Sequence, residues 1–246
     1  MVKLVGILNI TPDSFSDGGR YDSVDAATEQ AQKMFSDGAT IVDVGAESTR
    51  PGAAQLSDDE EWSRLQPVLT KLLDKYPGKI SLDSYHPKNI RRAFLIGPVV
   101  VNDVTGMNNP DMVEVVTSLQ ANCIVSHLPG VDIQMAHRLM PVKSLEQVVD
   151  DLLARETLLL SKGLTKKQVI LDPGIGFGKA PELNTKLLEF AKYVPGHSVM
   201  IGYSRKRFLG DHRMELEPNL EAGRVAIYAG ADYLRVHDVA GHRELL

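Results

Sequence analysis

The sequence has little of what marks several common protein classes. Cys123 is its only cysteine, which excludes disulfides within the chain and thiolate metal clusters. The apolar run at the start of the chain is much shorter than the roughly 20 residues of a membrane-spanning helix, and no small-residue cleavage site follows it. We therefore expect no membrane partner, and the single cysteine suits a reducing, cytoplasmic environment.

The chain also lacks an excess of basic residues. It has 27 Lys and Arg residues against 32 Asp and Glu residues, a net charge of -5. Nucleic-acid-binding proteins usually carry a basic excess, so we expect no nucleic-acid partner. A length of 246 residues with 43% hydrophobic residues suits one large globular domain. No linker or low-complexity tract divides the chain, and we expect a single domain over residues 1–246.

Short, largely β-branched apolar runs alternate with longer amphipathic stretches. Apolar runs without polar alternation are typical of parallel strands that are buried on both faces. We predict eight such strands: Lys3–Leu8, Thr40–Val44, Lys79–Leu82, Val99–Asn102, Asn122–Ser126, Gln168–Asp172, Ser198–Tyr203 and Tyr233–Val236.

Three helix starts can be recognised between the predicted strands. Ser57 with Glu60, and Ser144 with Gln147, have the spacing of a capping box. A third signal is Asn109 followed by a proline at the first helical position.

Alternating strands and helices over this length allow a closed (β/α)8 TIM barrel or an open doubly wound sheet. In a parallel barrel, functional residues lie on the loops that follow all the strands, whereas an open sheet concentrates them at one switch point. Here a polar or glycine-rich cluster follows every predicted strand. The α/β barrel is therefore the predicted fold.

The first predicted strand runs into a long polar loop, Ile7–Gly19. Thr11 to Ser14 and Asp17 to Gly19 could be a plain turn and a loop closure. A loop of this length with two aspartates on the catalytic rim is equally a candidate for a mobile lid.

This loop and the segment Asp43–Gly52 closely resemble the two signature segments of dihydropteroate synthases. The resemblance continues through Leu82-Asp83, Val101–Asp103, Asp172–Lys179, Ser204–Lys206 and Arg235–Asp238. These segments occur in the family's order and span residues 5 to 239. The resemblance implies a pterin-binding (β/α)8 barrel.

The resemblance assigns pterin binding to Asp83, Asn102 and Asp172, with Lys206 also reaching the pterin. Each of these residues alone could be a strand-end or helix-cap residue. A carboxylate can, however, accept hydrogen bonds from the 2-amino and ring N–H groups of a pterin, and an amide suits a mixed donor and acceptor edge. A wrong ligand would leave such buried groups unpaired.

The glycine-rich segment Asp172–Lys179 is not a nucleotide-binding loop. Ala180 stands where the hydroxyl of a P-loop would be, and no G-x-G-x-x-G run is present. The family resemblance places Phe177 beside the channel for p-aminobenzoate and Ser204 on the carboxylate of that substrate. It also implies that Thr49, Arg50 and Pro51 form a second mobile loop that closes over the amine together with Asp17.

Asn9, Arg235 and His237 follow the first and last strands, which are neighbours in a closed barrel. His237 alone could be a histidine paired with Asp238. Together, Asn9, Arg235 and His237 supply an oxygen ligand for Mg2+, a planar fork for phosphate oxygens and a further donor. This set suits a pyrophosphate leaving group. We expect Mg2+ as the cofactor and Lys206, Arg235, His237 and Asp17 as the catalytic residues.

The implied function is that of a transferase in folate biosynthesis. It moves the methylene-dihydropterin group from 6-hydroxymethyl-7,8-dihydropterin pyrophosphate to p-aminobenzoate and so makes 7,8-dihydropteroate. We expect an SN1-like route, because the pterin can stabilise a cation at its methylene carbon. Two alternatives are a pterin-binding paralogue with little or no catalysis and a barrel of the methyltetrahydrofolate methyltransferase type. The second would not need the Asn9, Arg235 and His237 set.

The sequence departs from the family pattern at several places, three of which bear on the fold and the site. Ser126 replaces an apolar residue that packs under the pterin in relatives, and Ser84 to His86 differ after the shared aspartate. After the last predicted strand only residues 240–246 remain, so we expect a shortened C-terminal helix that leaves the outer face of the first and last strands exposed. A neighbouring subunit, or repacked flanking helices, would shield that face, and we expect a homodimer. The seven histidines lack the H-x-x-x-H spacing of a zinc site, and we predict no histidine metal centre.

Overall fold

Eight parallel strands close into one barrel in a computed structural model that describes residues 1–10, 20–47, 55–130 and 139–246, without the side chains of residues 20–23. Each strand pairs with the next along the chain, and the last pairs with the first. The (β/α)8 barrel predicted from the sequence is confirmed. The strands are β1 (Lys3–Asn9), β2 (Ala39–Gly45), β3 (Ile80–Asp83), β4 (Val100–Asp103), β5 (Cys123–Ser126), β6 (Val169–Asp172), β7 (Ser198–Ile201) and β8 (Tyr233–Val236).

Helices cover the outside of the barrel. In the described ranges they are α1 (Arg20–Ser36), α2 (Asp58–Lys75), α3 (Pro87–Ile96), α4 (Pro110–Ser118), α5 (Leu145–Ser161), α6 (Pro181–Lys186), α7 (Leu216–Tyr228) and α8 (Val239–His242). A 3-10 helix, Leu187–Tyr193, continues from α6 towards β7. None of the described helices is long and apolar enough to cross a membrane.

All three predicted helix starts are confirmed, and one of the two predicted capping boxes is complete. The Ser57 hydroxyl accepts from the Glu60 backbone, and the Glu60 carboxylate accepts from the Ser57 backbone, which completes the capping box. Asn109 caps α4 with proline at the first position. Ser144 caps α5 and accepts from the Gln147 backbone, but the reciprocal bond from the Ser144 backbone to the Gln147 side chain does not form among the described residues, so that box is only half complete.

An apolar layer fills the barrel interior, separate from the core between the strands and helices. It has one member from each of seven strands: Val5, Ile41, Val100, Ile124, Ile170, Met200 and Tyr233. Because side chains in a strand alternate between its two faces, these residues mark the inward face of each strand. The layer closes the barrel below the strand carboxyl ends, so a ligand can enter only from above it.

The C-terminal helix is short, as predicted, but the outer face that it was expected to leave exposed is covered. Leu4, Leu234 and Val236 are fully buried. Val239 of α8 is buried and packs beside Gly6, where an added Cβ would lie 3.0 Å from a Val239 methyl group. Leu245 packs on the same core. The expectation of an exposed flank is therefore wrong, since four helical residues and a 3-10 turn suffice.

Candidate active site

A ring of mostly polar side chains lies one layer above the apolar layer. Residues two positions further along a strand face the same side, so this ring also points into the barrel. Six members follow a residue of the apolar layer by two positions: Asp43, Asn102, Ser126, Asp172, Gly202 and Arg235. Asp83, at the end of β3, joins them through its contact with Arg235. The ring contains all three predicted pterin residues that lie on strands. It leaves an open position at β7, where Gly202 has no side chain.

Arg235 joins two carboxylates of the ring. Its Nε donates to Oδ2 of Asp43 at 2.7 Å, and its Nη2 donates to Oδ2 of Asp83 at 2.6 Å. Asn102 donates to the same Asp43 oxygen at 2.9 Å. Strands β8, β2, β3 and β4 are thereby linked across the barrel mouth. Arg235 was predicted for pyrophosphate, and its guanidinium contacts the two carboxylates.

Asp43 is a site residue that the sequence reasoning missed. Its side chain is buried, and its second oxygen, Oδ1, has no hydrogen-bond partner in the described structure. A signal was present, because Asp43 is an acid inside an otherwise apolar strand and stands two residues after Ile41 of the inner layer. Period-two counting from the apolar layer would have placed it inside the barrel.

Burial controls the protonation of the two predicted pterin carboxylates. Burial raises the pKa of Asp83 above its usual range, and Arg235 opposes this shift while Asp43 adds to it. Burial also raises the pKa of Asp172, against the nearby charge of Lys206. Carboxylates held this way gain most from a ligand that donates hydrogen bonds to them, because such donors favour the ionised form.

Lys206 lies between the predicted pterin site and the predicted p-aminobenzoate site. Its ammonium group donates to the Ile175 carbonyl and lies 5.1 Å from the centre of the Phe177 ring. Its Nζ also lies near the β7 gap, 3.8 Å from the position that a Cβ on Gly202 would take. Burial lowers the pKa of Lys206 to about 8, against the attraction of Asp172. Lys206 is thus a cation near the edge of its charged range.

The loop after β6, which carries Phe177, is fixed by close backbone packing and by a buried lysine. Gly174 has φ +65°, and a Cβ there would lie 2.1 Å from the His127 carbonyl oxygen, so only glycine fits. Buried Lys179 donates to the carbonyls of His127, Gly174 and Phe177 at 3.1, 3.2 and 2.9 Å. Lys179 therefore fixes the backbone from which Phe177 projects.

The remaining predicted residues fall into two groups. His237 and Ser204 are in contact, with the Nδ1 of His237 3.1 Å from the Ser204 hydroxyl, while Asn9 ends β1 with an exposed side chain opposite Gly45. Asp17, Thr49, Arg50 and Pro51 lie outside the described residues.

Two kinds of cation ligand occur near the barrel mouth. Asn9 offers an amide oxygen on the rim. In the described ranges, one group of acids and histidines is close enough to hold a single ion: Glu47, Glu61 and His86. This group lies behind the ring, where the loops after β2 and β3 meet α2.

Comparison with known proteins agrees with this geometry. The family model for pterin binding enzymes matches residues 5–237. The dihydropteroate synthase of Haemophilus influenzae is 36% identical over 99% of this chain and 91% of its own length.

Two solved structures share the fold. The Xanthomonas albilineans dihydropteroate synthase with 4-aminobenzoic acid has a TM-score of 0.88 and 32% identity, over 99% of this chain and 90% of that one. The Clostridium difficile dihydropteroate synthase in the presence of pteroic acid has a TM-score of 0.87 and 34% identity, over 98% and 92%. The chain therefore belongs to the pterin-binding enzyme family, among the dihydropteroate synthases.

Proposed function

We propose that residues 1–246 act as one catalytic domain that transfers the methylene-dihydropterin group from 6-hydroxymethyl-7,8-dihydropterin pyrophosphate to p-aminobenzoate. The products are 7,8-dihydropteroate and pyrophosphate. The observation that carries this proposal is the inward ring of buried carboxylates and amide, with Lys206 at its edge. Relatives with the same fold bind 4-aminobenzoic acid and pteroic acid.

The pterin would lie across the barrel mouth, above the apolar layer. Asp83 and Asp172 would accept hydrogen bonds from the 2-amino and ring N–H groups, and Asn102 would serve the mixed edge. The pterin heterocycle would occupy the space that Gly202 leaves, beside the ammonium group of Lys206. The apolar layer excludes water from below, which strengthens each of these hydrogen bonds.

The amine would approach from the side of Phe177. The Ser204 hydroxyl would hold the carboxylate of p-aminobenzoate, and the Phe177 ring would line one face of the channel. Thr49, Arg50, Pro51 and Asp17 would complete the amine site from the two segments outside the described residues. An arylamine is a neutral nucleophile, so no strong base is needed, and positioning would provide much of the rate.

Pyrophosphate would leave through the side formed by Asn9, Arg235 and His237. The Asn9 amide oxygen is exposed on the rim and is a hard donor of the kind Mg2+ prefers, while pyrophosphate and water would supply the other ligands. Bound Mg2+ would neutralise charge on the leaving group. Arg235 would hold Asp43 and Asp83 in place for the pterin and present its remaining N–H groups to phosphate oxygens, and His237 would add a donor. Departure before amine attack would make the route SN1-like.

We also propose a cytoplasmic homodimer. Large apolar side chains are exposed along the late segments of the barrel: Tyr193, Met214, Leu216, Val225 and Tyr228. A contiguous exposed apolar patch on a protein in water normally marks an interface, and we propose that these side chains form one. Sedimentation over a wide concentration range should show a dimer, and a monomer at high concentration would refute this assembly.

The test of function is product formation from the two substrates. With Mg2+ present, we expect chromatography to show 7,8-dihydropteroate in an amount equal to the pyrophosphate released. Lys206→Met should lose most activity while remaining folded, because its charge and hydrogen bond are removed. A chain that binds the pterin in calorimetry but makes no product would instead be a non-catalytic pterin-binding paralogue.

A further inference from the structure

A second group of ligand-type side chains lies outside the proposed substrate site. Glu47 follows β2, His86 follows β3 and Glu61 is on the first turn of α2. Each offers one ligand atom, and these three atoms lie within 4.8 Å of one another. The Glu61 residue is fully buried, and the Glu47 and His86 side chains are 6% and 13% exposed. Charged groups are rarely buried together without compensation.

One oxygen of this group lacks compensation. Oε2 of Glu61 accepts from the Ser84 hydroxyl at 2.8 Å and from the Asn89 amide at 2.7 Å. Oε1 of Glu61 is buried and has no hydrogen-bond partner in the described structure. A buried carboxylate oxygen without a partner is unfavourable, and a bound ion is one of the few arrangements that would satisfy it.

The spacing between His86 and Glu47 fits two ligands of one ion. His86 Nε2 lies 3.3 Å from Glu47 Oε2. A charge-assisted hydrogen bond is usually about 2.7–2.9 Å long. Two ligand atoms bound at about 2.0–2.1 Å to a tetrahedral ion lie roughly 3.3 Å apart.

Each of the three ligands is also oriented by a neighbour. The Nδ1 of His86 lies 2.7 Å from Oδ1 of Asp58, so Nε2, which faces Glu47, is the nitrogen that can bind the ion. The other oxygen of Glu47 accepts from the Tyr85 hydroxyl. Outer partners of this kind are typical of metal sites, because they fix the tautomer and the direction of each ligand.

We propose that Glu47, Glu61 and His86 bind one divalent transition-metal ion, and that the ion is Zn2+. One imidazole nitrogen and two carboxylate oxygens form a mixed nitrogen and oxygen set that zinc accepts in tetrahedral geometry, with water as the fourth ligand. The site is separate from the proposed Mg2+ position at Asn9. The ion joins the ends of β2 and β3 to α2, directly before residues 48–54, and so acts as a structural clamp.

Metal binding by the untagged full chain tests this proposal without any substrate. Chelator-treated protein is titrated with ZnCl2 in excess MgCl2, and bound zinc is counted by elemental analysis. We expect one Zn2+ per chain, with a dissociation constant of about 1 µM or lower, and a higher melting temperature with zinc than without it. Cobalt in place of zinc should give the intense visible bands of a tetrahedral site.

Glu61→Gln removes the proposed ligand with little change of shape. Its amide oxygen can still accept from Ser84 and Asn89, while its NH2 group replaces the unpaired Oε1. We expect a folded variant whose zinc affinity is at least about 100-fold weaker. Should this variant not fold, His86→Ala provides the same comparison.

Two matched controls identify the site. His212→Gln disrupts an exposed histidine–glutamate pair that has no second carboxylate in reach among the described residues, and Asn9→Ala removes the proposed Mg2+ ligand. Both should keep wild-type zinc binding. If the wild-type chain takes up no stoichiometric zinc, or if Glu61→Gln binds it equally well, the cluster is only an ion-pair network. Neither result would bear on product formation.

Discussion

Replacing Asp83 by asparagine separates the role of this carboxylate in binding from its role in the fold. In the proposed complex the carboxylate accepts two N–H bonds from the pterin edge. Asparagine has the same shape, but it is neutral and presents one donor group to a ligand edge that consists of donors. Ligand binding should therefore fail while the barrel persists.

The expected effect of Asp83→Asn on pterin binding and its expected effect on the free energy of unfolding differ in size and in sign. Two hydrogen bonds to a charged group are worth about 1.5–3 kcal/mol each, so their loss weakens pterin binding by about 10²–10⁴-fold. Burial raises the pKa of Asp83, and an acid with a raised folded-state pKa destabilises the fold at pH values above its unfolded pKa. In the Asp83→Asn variant, Arg235 still has Asp43 as an ion-pair partner. The free energy of unfolding of Asp83→Asn at pH 8 should therefore match or exceed the wild-type value, by no more than about 1 kcal/mol.

Calorimetry with a pterin without phosphates and urea unfolding at pH 8 measure these two quantities. Asp25→Asn is the matched control, because Asp25 is exposed and pairs only with Lys71 among the described side chains; it should change neither quantity. Unchanged pterin affinity in a folded Asp83→Asn variant would remove Asp83 from the pterin site. A loss of several kcal/mol of stability would show that the carboxylate stabilises the fold instead.

Three further predictions concern the same site. Arg235→Met leaves Asp43 and Asp83 without their shared cation and should cost about 3–5 kcal/mol in urea unfolding; a smaller loss than 1 kcal/mol would show that the pair is unimportant to the fold. Because the pKa of Lys206 is lowered to about 8, this residue is charged below that pH and neutral above it, so kcat/KM should fall above about pH 8. The fall in kcat/KM should be absent in Lys206→Arg, because arginine keeps its charge above pH 8. A fall at the same pH in Lys206→Arg would show that another group titrates. Gly174→Ala forces a Cβ against the His127 carbonyl at a positive φ and should lose about 2 kcal/mol or more of stability, whereas Gly196→Ala, also at positive φ but with open space, should lose less.

The fold was predictable because its signals are local. Each strand is a short apolar run, and β8 has the predicted bounds Tyr233–Val236, while other strands begin or end one or two residues away. The Ser57 and Asn109 caps follow from residue spacing within one turn of helix. The Ser144 cap formed as well, but the Gln147 side chain does not return a bond to the Ser144 backbone, and residue spacing alone does not fix that side-chain orientation.

Most residues of the site could be predicted from the sequence, but the hydrogen bonds and ion pairs between them could not. Counting along the strands places Asp83, Asn102 and Asp172 at strand ends, where a barrel brings them together. The ion pair between Arg235 and Asp43 joins positions 192 residues apart, and no local pattern encodes it. The covered outer face of β1 and β8 likewise depends on how α8 packs rather than on its length.

The ligand set of Glu47, Glu61 and His86 was missed for a related reason. Its members are 14 and 25 residues apart in the sequence, and each comes from a different element. Short metal motifs require ligands on one helix or one loop. The pairing of β2 with β3, with α2 as the connection between them, brings these three side chains together.

The central claim is that this chain moves the pterin group from pyrophosphate to an arylamine. The most direct measurement is a single-turnover experiment with dihydropterin pyrophosphate and Mg2+, with and without p-aminobenzoate. We predict pyrophosphate release in both cases, because the leaving group departs before the amine attacks, and 7,8-dihydropteroate only when the amine is present. No pyrophosphate release under either condition, from a chain that binds the pterin pyrophosphate, would contradict it.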